Sequence, residues 1–206
     1  MQKGLFNYNP FCVTIKKRCI MSSIYKNFQK KSIIKALSLD NYNYIINTIN
    51  NKNIDISKDE EFQKTFDAFF KVRRDEKWRR EYYNYFQKVK NNKDIKFEEI
   101  LNHLKDSTGN IEASFSSKLL ATINPNMPIW DQFVLKYYDI KIEDNNPKER
   151  IKDITEKYYE IIEKENEELQ KEDIKEAIKQ FREDFKEYNL SDIKILDFMI
   201  WSNRNK

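Results

Sequence analysis

The sequence has very little glycine, proline, cysteine and histidine: two, four, two and one among 206 residues. Tight turns and phosphate-binding loops need glycine, so its scarcity argues against a β-sandwich and against an α/β fold rich in glycine turns. A structural zinc site takes about four Cys or His ligands, and an iron–sulfur cluster takes four cysteines. Since this chain can supply neither set, we predict no metal site and no cofactor.

The single histidine also limits the catalytic options. A Ser-His-Asp or Cys-His arrangement would depend on His103, and no nucleophile signal lies near it. We predict that His103 faces solvent or packs on a helix. No stretch approaches the length of a transmembrane helix, and residues 1–21 lack a continuous apolar run, so we expect a cytoplasmic protein.

Apolar residues, by contrast, make up 39% of the chain, charged residues 35% and aromatic residues 14%. Apolar side chains recur at helical spacing in segment after segment, which predicts an all-α fold, an irregular compact helical bundle. The net charge of +4 and the pI near 8.8 are compatible with a nucleic-acid partner without demonstrating one.

Residues 1–20 differ from the rest because their aromatic and basic residues follow no helical period. We hypothesise that Met21 is the natural start, that residues 1–20 are an upstream extension, and that residues 21–206 form one helical domain. The run Asp144-Asn145-Asn146-Pro147 is the clearest linker, so 143–147 is a candidate subdomain boundary.

Capping and turn residues predict where individual helices begin and end. We expect Asp40 or Asn41 to cap a first short helix, a loop at 50–53, and a strong helix capped by Ser57 or Asp59. The apolar stripe from Phe62 to Phe70, extended at 3.6 residues per turn, does not reach Trp78, which predicts a break in the helix near 73–75. Further helices are predicted at about 96–105, from Pro147, at 174–185 and after Ser191. The charged run at 163–173 is predicted to be solvated surface.

One segment, residues 109–137, stands apart from its surroundings. It contains one of the two glycines, two of the four prolines and most of the small residues. The small residues predict a helix at the centre of the bundle, because they allow another helix to approach closely. Pro125 is expected to end that helix, and Asp131 is expected to be the N-cap of the next one, ionised at neutral pH.

A small-residue helix, a proline-bearing link and then apolar-x-Asp-x-x-Val resembles the middle of helix-hairpin-helix DNA glycosylases, over roughly residues 109–138. The resemblance implies a catalytic role for Asp131, with Val134 matching the valine that follows. Of the family's glycine-containing hairpin only Gly109 is present. Lys118 lies thirteen positions before Asp131, closer than the family's nucleophilic lysine.

On this interpretation Asp131 stabilises positive charge on the sugar of a flipped nucleotide or orients a water molecule. Lys118 serves as an amine nucleophile or contacts a phosphate, and Phe115 and Trp130 wedge between or stack on bases. The alternative is purely structural. Asp131 is then only a cap, Lys118 is exposed or ion-paired, and Trp130 belongs to the core.

A second candidate is the segment 71–80, which places six cations and a tryptophan in ten positions. Its arginines can grip phosphates and its tryptophan can stack on a base. The alternative is a solvated helix face whose cations pair with neighbouring carboxylates. The nucleic-acid-binding residues predicted here, together with Trp130, are Lys71, Arg73, Arg74, Lys77, Trp78 and Arg79.

A longer pattern resembles a family of uncharacterised bacterial proteins, a resemblance that implies no activity. It comprises Val72-Arg-Arg with Trp78-Arg, Glu112-Ala-Ser-Phe-x-Ser-Lys-Leu-Leu-Ala-Thr-Ile-x-Pro, Pro-Ile-Trp-Asp, and a final Asp-Phe-x-Ile-Trp.

Two functions therefore stay open, and whether the chain is an enzyme stays open with them. One is a protein that binds DNA or another nucleic acid and is built on a glycosylase-like core. The other is a non-catalytic helical interaction or accessory module, for example in defence, with a protein partner. A third hypothesis, a metal-dependent nuclease, would have Glu112 and Asp131 share a cation such as Mg²⁺.

Overall fold

The computed structural model describes residues 38–143 and 146–203. Within these ranges the chain forms nine α-helices and no strand, which confirms the predicted all-α fold. The helices are α1 (Leu39–Asn50), α2 (Glu60–Phe70), α3 (Glu76–Val89), α4 (Phe97–Thr108), α5 (Ala113–Ile123), α6 (Gln132–Tyr137), α7 (Pro147–Glu168), α8 (Glu172–Asp184) and α9 (Asp192–Ser202). The hypotheses on residues 1–20 and Met21, and residues 144 and 145 of the predicted boundary, lie outside the described residues.

Side-chain caps set the first residue of several helices. Asp59 accepts a hydrogen bond from the backbone N–H of Phe62 at 2.9 Å, and Ser191 accepts one from Lys194 at 3.1 Å, which confirms both predicted caps. The prediction for α1 was wrong in position. Its cap position is Ser38, and Asp40 lies inside the first turn, where it accepts a hydrogen bond from the Tyr188 hydroxyl instead.

The break predicted near residues 73–75 is confirmed. Helix α2 ends at Phe70, Lys71 takes a left-handed φ of 57°, and Asp75 caps α3 by accepting from the N–H of Trp78 at 2.8 Å. Because of this break, the aromatic stripes of α2 and α3 pack against each other, and the rings of Phe66 and Phe86 meet edge to face with 5.6 Å between their centroids.

Helix α5 lies at the centre of the bundle, as its small residues predict. It packs against α4 and α1, and Ser116 and Ser117 are fully buried within it. The residues after it are held in place from two sides. The N–H of Trp130 donates to Ser117 Oγ at 2.8 Å, and the Tyr158 hydroxyl of α7 donates to the Pro128 carbonyl at 2.9 Å.

The prediction that residues 163–173 are solvated surface was wrong for two carboxylates. Glu165 is 0% exposed and Glu168 is 8% exposed. Helix α7 continues unbroken to Glu168, so Glu165 falls one turn after the buried Ile161 on the same face. The stripe of buried residues on α7 therefore continues into this run, although most residues of the run are charged.

Candidate functional site

An open cleft of about 340 Å³ lies where the end of α2, the residues before and at the start of α6, and α9 come together. Its volume is within the range of about 300–1,000 Å³ typical of small-ligand sites. Much of its wall is aromatic, from Phe69, Phe70, Phe133, Phe198 and Trp201. Five charged residues also line it: Lys71, Lys118, Asp131, Lys194 and Asp197.

Lys118 reaches this cleft from α5. Its Nζ donates to the carbonyl oxygen of Phe70 at 3.1 Å and lies 4.9 Å from the centroid of the Phe115 ring. The side chain is half-buried rather than exposed. Burial lowers the pKa of Lys118, and the nearby charge of Asp131 opposes that shift. An amine that is easier to deprotonate is a better candidate nucleophile.

Asp131 is the N-cap of α6, as predicted. Its Oδ1 accepts a hydrogen bond from the backbone N–H of Phe133 at 2.7 Å. The same residue lines the cleft with Lys118 and is near enough for its charge to act on that ammonium group. The structure therefore brings together the two residues predicted as catalytic, and capping does not remove Asp131 from the cleft.

A second pair of charges, which was not predicted from the sequence, lines the cleft. On α9, Lys194 Nζ donates to Asp197 Oδ2 at 2.8 Å, and the two residues are only 1% and 8% exposed. The sequence signal was an i, i+3 lysine and aspartate inside an otherwise apolar helix. Asp197 also begins the final Asp-Phe-x-Ile-Trp motif.

Glu165 of α7 adds a second buried carboxyl group near this pair. Neither of its oxygens has a hydrogen-bond partner among the described residues, and the buried hydroxyls of Tyr42 and Tyr138 also lack one there. Burial, together with the negative charge of Asp197, raises the pKa of Glu165 well above its usual range. This shift favours the neutral acid form of Glu165 in the folded protein.

The predicted basic segment 71–80 contains residues that bind other parts of the protein and residues that stay exposed. Arg74 Nη2 lies 2.9 and 2.8 Å from the two carboxylate oxygens of Glu112, and the indole Nε1 of Trp78 donates to Glu112 Oε1 at 3.1 Å. Arg79 pairs with Asp67 at 2.7 Å. Arg74, Trp78 and Arg79 are thus engaged in contacts within the protein.

The remaining predicted contacts differ in exposure. Lys71 lines the cleft, and Arg73 and Lys77 are exposed and form no ion pair with any residue in the described ranges. Trp78 is 7% exposed and Trp130 is 8% exposed. Neither indole ring lines the cleft, and neither can stack on an incoming base without leaving its packed position.

Other predicted features have simple placements. His103 is exposed and its ring stacks on Tyr85, with 3.6 Å between centroids, which confirms the predicted packing role. Glu112, suggested as a metal ligand with Asp131, is held by Arg74 and Trp78. Within residues 38–143 and 146–203, no three His, Cys, Asp or Glu side chains are grouped to hold a metal ion, and no helix is long and apolar enough to cross a membrane.

In comparisons with known proteins, no family model, no curated protein and no solved structure matches this chain. The helix-hairpin-helix core stays a prediction. Helices α4 and α5 are joined by a short turn in which Gly109 has a φ of 79°, the left-handed conformation that favours glycine after a helix.

Proposed function

We propose that this protein binds nucleic acid and that the cleft between α2, α6 and α9 receives one unstacked nucleotide, as in a DNA glycosylase. The observation that carries the proposal is the presence of Lys118 and Asp131 in one aromatic-walled cleft. Enzymes that act on a base take it out of the stack and hold it between aromatic or apolar side chains. Five aromatic rings around a cleft of about 340 Å³ suit such a ligand.

Lys118 and Asp131 also suit the chemistry of base removal. As the bond from sugar to base lengthens, positive charge develops on the sugar, and the Asp131 carboxylate would stabilise it. The neutral amine of Lys118 would then bond to C1′ of the sugar while the base leaves with the bonding electron pair and takes up a proton that the bonded amine releases. Opening of the sugar ring, with the remaining N–H proton passing to O4′, would leave an imine that borohydride can reduce. The lowered pKa of Lys118 increases the fraction of neutral amine.

Exposed cations beside the cleft would hold the phosphate backbone. Lys71 lines the cleft, and Arg73 and Lys77 follow on the same connection and the first turn of α3. Cations at such positions release counterions from nucleic acid, so the affinity would fall with added salt.

The first experiment measures binding. Fluorescence anisotropy with labelled single-stranded and duplex DNA, at a low and a moderate salt concentration, should show binding that weakens as salt rises. If neither DNA binds even at low salt, the nucleic-acid proposal is wrong, and the non-catalytic interaction module becomes the better account of the fold.

The second experiment separates binding from chemistry. Duplexes with damaged or mismatched bases are incubated with the protein, and abasic products are revealed by alkaline strand cleavage. Asp131→Asn and Lys118→Gln should lose product, and borohydride should trap a covalent complex with the wild type but not with Lys118→Gln. Lys93→Gln is a matched control, because Lys93 also donates to a backbone carbonyl, that of Ile123, but does not line the cleft. Product formation that is equal in all variants would remove Asp131 and Lys118 from the chemistry.

A further inference from the structure

The proposed chemistry uses Lys118 and Asp131 and leaves the Lys194–Asp197 pair without a role. This pair is almost completely buried, yet it lines the cleft. A buried ion pair is weak support for stability, because apolar side chains of similar volume often stabilise a fold as well or better. An ion pair inside the apolar helix α9 therefore calls for a reason other than folding.

The pair offers one hydrogen-bond acceptor and one donor side by side. Lys194 Nζ donates to Asp197 Oδ2 at 2.8 Å, and no described residue donates a hydrogen bond to Asp197 Oδ1. The ammonium group has three N–H donors, and Asp197 Oδ2 is its single hydrogen-bond partner among the described residues. Its other neighbours are the rings of Tyr42 and Phe198, with centroids 5.3 and 5.5 Å away.

Aromatic side chains flank this pair. Phe198 and Trp201 come from the same helix, and Phe69 and Phe133 come from the other walls of the cleft. A planar heterocycle that stacks on these rings would meet the cleft's charged groups with its polar edge. The order of donors and acceptors on that edge then decides whether Lys194 and Asp197 attract or repel it.

We propose that Lys194 and Asp197 recognise a lactam edge, a ring N–H beside a carbonyl, on the nucleobase held in the cleft. The Asp197 carboxylate accepts from the ring N–H, and the Lys194 ammonium donates to the carbonyl oxygen. Uracil and hypoxanthine present this edge. With the ring held in the same orientation, cytosine and adenine place a bare ring nitrogen against Asp197 and an amino group against Lys194, which sets acceptor against acceptor and donor against donor. This inference rests on the proposed nucleotide-binding function.

The test compares four labelled duplexes that differ only in the central base: uracil, cytosine, hypoxanthine or adenine. An abasic analogue opposite that base removes pairing differences, and a 2′-fluoro sugar prevents loss of the base during measurement. Anisotropy titrations of the wild type should favour uracil over cytosine and hypoxanthine over adenine, each by about tenfold to a hundredfold. Asp197→Asn should reduce both ratios. Asp192→Asn, on the same helix but outside the cleft, should keep them.

The outcomes separate this inference from the function on which it rests. If all four duplexes bind equally, or if cytosine and adenine are preferred, the lactam inference is wrong while nucleic-acid binding stands. Unchanged ratios in Asp197→Asn would also overturn it. If no duplex binds at low salt, the proposed function itself fails. Should Asp197→Asn not fold, as judged by circular dichroism, the wild-type ratios alone decide.

Discussion

The indole Nε1 of Trp78 donates a hydrogen bond to Glu112 Oε1, and this 3.1 Å contact joins α3 to the start of α5. Arg74 Nη2 contacts both oxygens of the same carboxylate, and its Cζ lies 5.2 Å from the centroid of the Phe115 ring. Glu112 is 5% exposed. These contacts hold the break between α2 and α3 against the central helix and so fix one wall of the cleft.

Replacing Glu112 should therefore weaken the whole fold. Glu112→Gln removes the negative charge that pairs with Arg74. It also replaces one carboxylate oxygen by an NH₂ group, so an N–H of Arg74 or Trp78 that donated to that oxygen now faces another donor. We expect the free energy of unfolding to fall by about 1–3 kcal/mol, the usual cost of leaving a buried polar group unsatisfied. Urea denaturation followed by circular dichroism measures the change.

The control for this prediction is Glu60→Gln, which removes an exposed i, i+4 pair with Lys64 at 3.1 Å. A surface pair of this kind contributes about 0–1 kcal/mol, so this variant should unfold close to the wild type. Equal unfolding free energies in both variants would show that the Glu112 contacts do not stabilise the protein.

Much of the fold could be predicted from the sequence, because capping residues and residue size determine where several helices begin and which helix is central. Asp59, Asp75 and Asp131 each occupy the N-cap position that their side chains favour, and the small residues of α5 are central, as their size implies. The resemblance to helix-hairpin-helix DNA glycosylases brought Lys118 and Asp131 forward as a pair. Their separation along the sequence could not establish that both line one cleft.

What the sequence concealed depends on contacts between distant segments. Trp78 and Arg74 belong to a basic run that is typical of a binding surface, and only the position of Glu112 shows that both bind a buried carboxylate. Glu165 was assigned to the surface from its charged neighbours, although it keeps the spacing of Ile154, Tyr158 and Ile161. Periodicity was the better guide there than composition.

The buried acid Glu165 predicts a pH dependence of stability. The folded protein keeps a proton on Glu165 at pH values where the unfolded chain has released it, because burial raises its pKa in the folded state. The free energy of unfolding should then fall as the pH rises above the ordinary carboxyl pKa. The slope for one proton is about 1.4 kcal/mol per pH unit, and this loss ends above the folded-state pKa.

Glu165→Gln should remove this contribution, since glutamine has nearly the same shape and does not ionise. The variant should be more stable than the wild type at neutral pH, and the difference should shrink toward zero near pH 4. Glu163→Gln, at an exposed position of the same helix, should keep the wild-type slope. Urea denaturation at several pH values tests this, and parallel curves for wild type and Glu165→Gln would show that Glu165 is not buried as a neutral acid.

Arg73 and Lys77, two exposed cations that follow Lys71 in the sequence, predict a change in the salt dependence of DNA binding. Arg73→Gln with Lys77→Gln should weaken binding to all sequences alike. It should also reduce the slope of log affinity against log salt by about one for each lost phosphate contact. The control, Lys141→Gln with Lys152→Gln, removes the same charge from two lysines in exposed surface pairs. If both double variants change the slope equally, net charge and not position determines the effect.

The Lys194–Asp197 pair allows function and stability to be separated in one set of variants. Asp197→Leu alone leaves the Lys194 ammonium buried without its partner, so unfolding should become easier by about 3–5 kcal/mol. Lys194→Met with Asp197→Leu replaces the whole pair by apolar side chains and should be as stable as the wild type or more stable. That double variant should nevertheless lose the preference for uracil over cytosine, because no acceptor and donor are left at this position. Denaturation and anisotropy titration of the same preparations measure both properties.

A double variant that is as unstable as Asp197→Leu would show that the pair stabilises the fold. A double variant that keeps the base preference would place recognition elsewhere in the cleft.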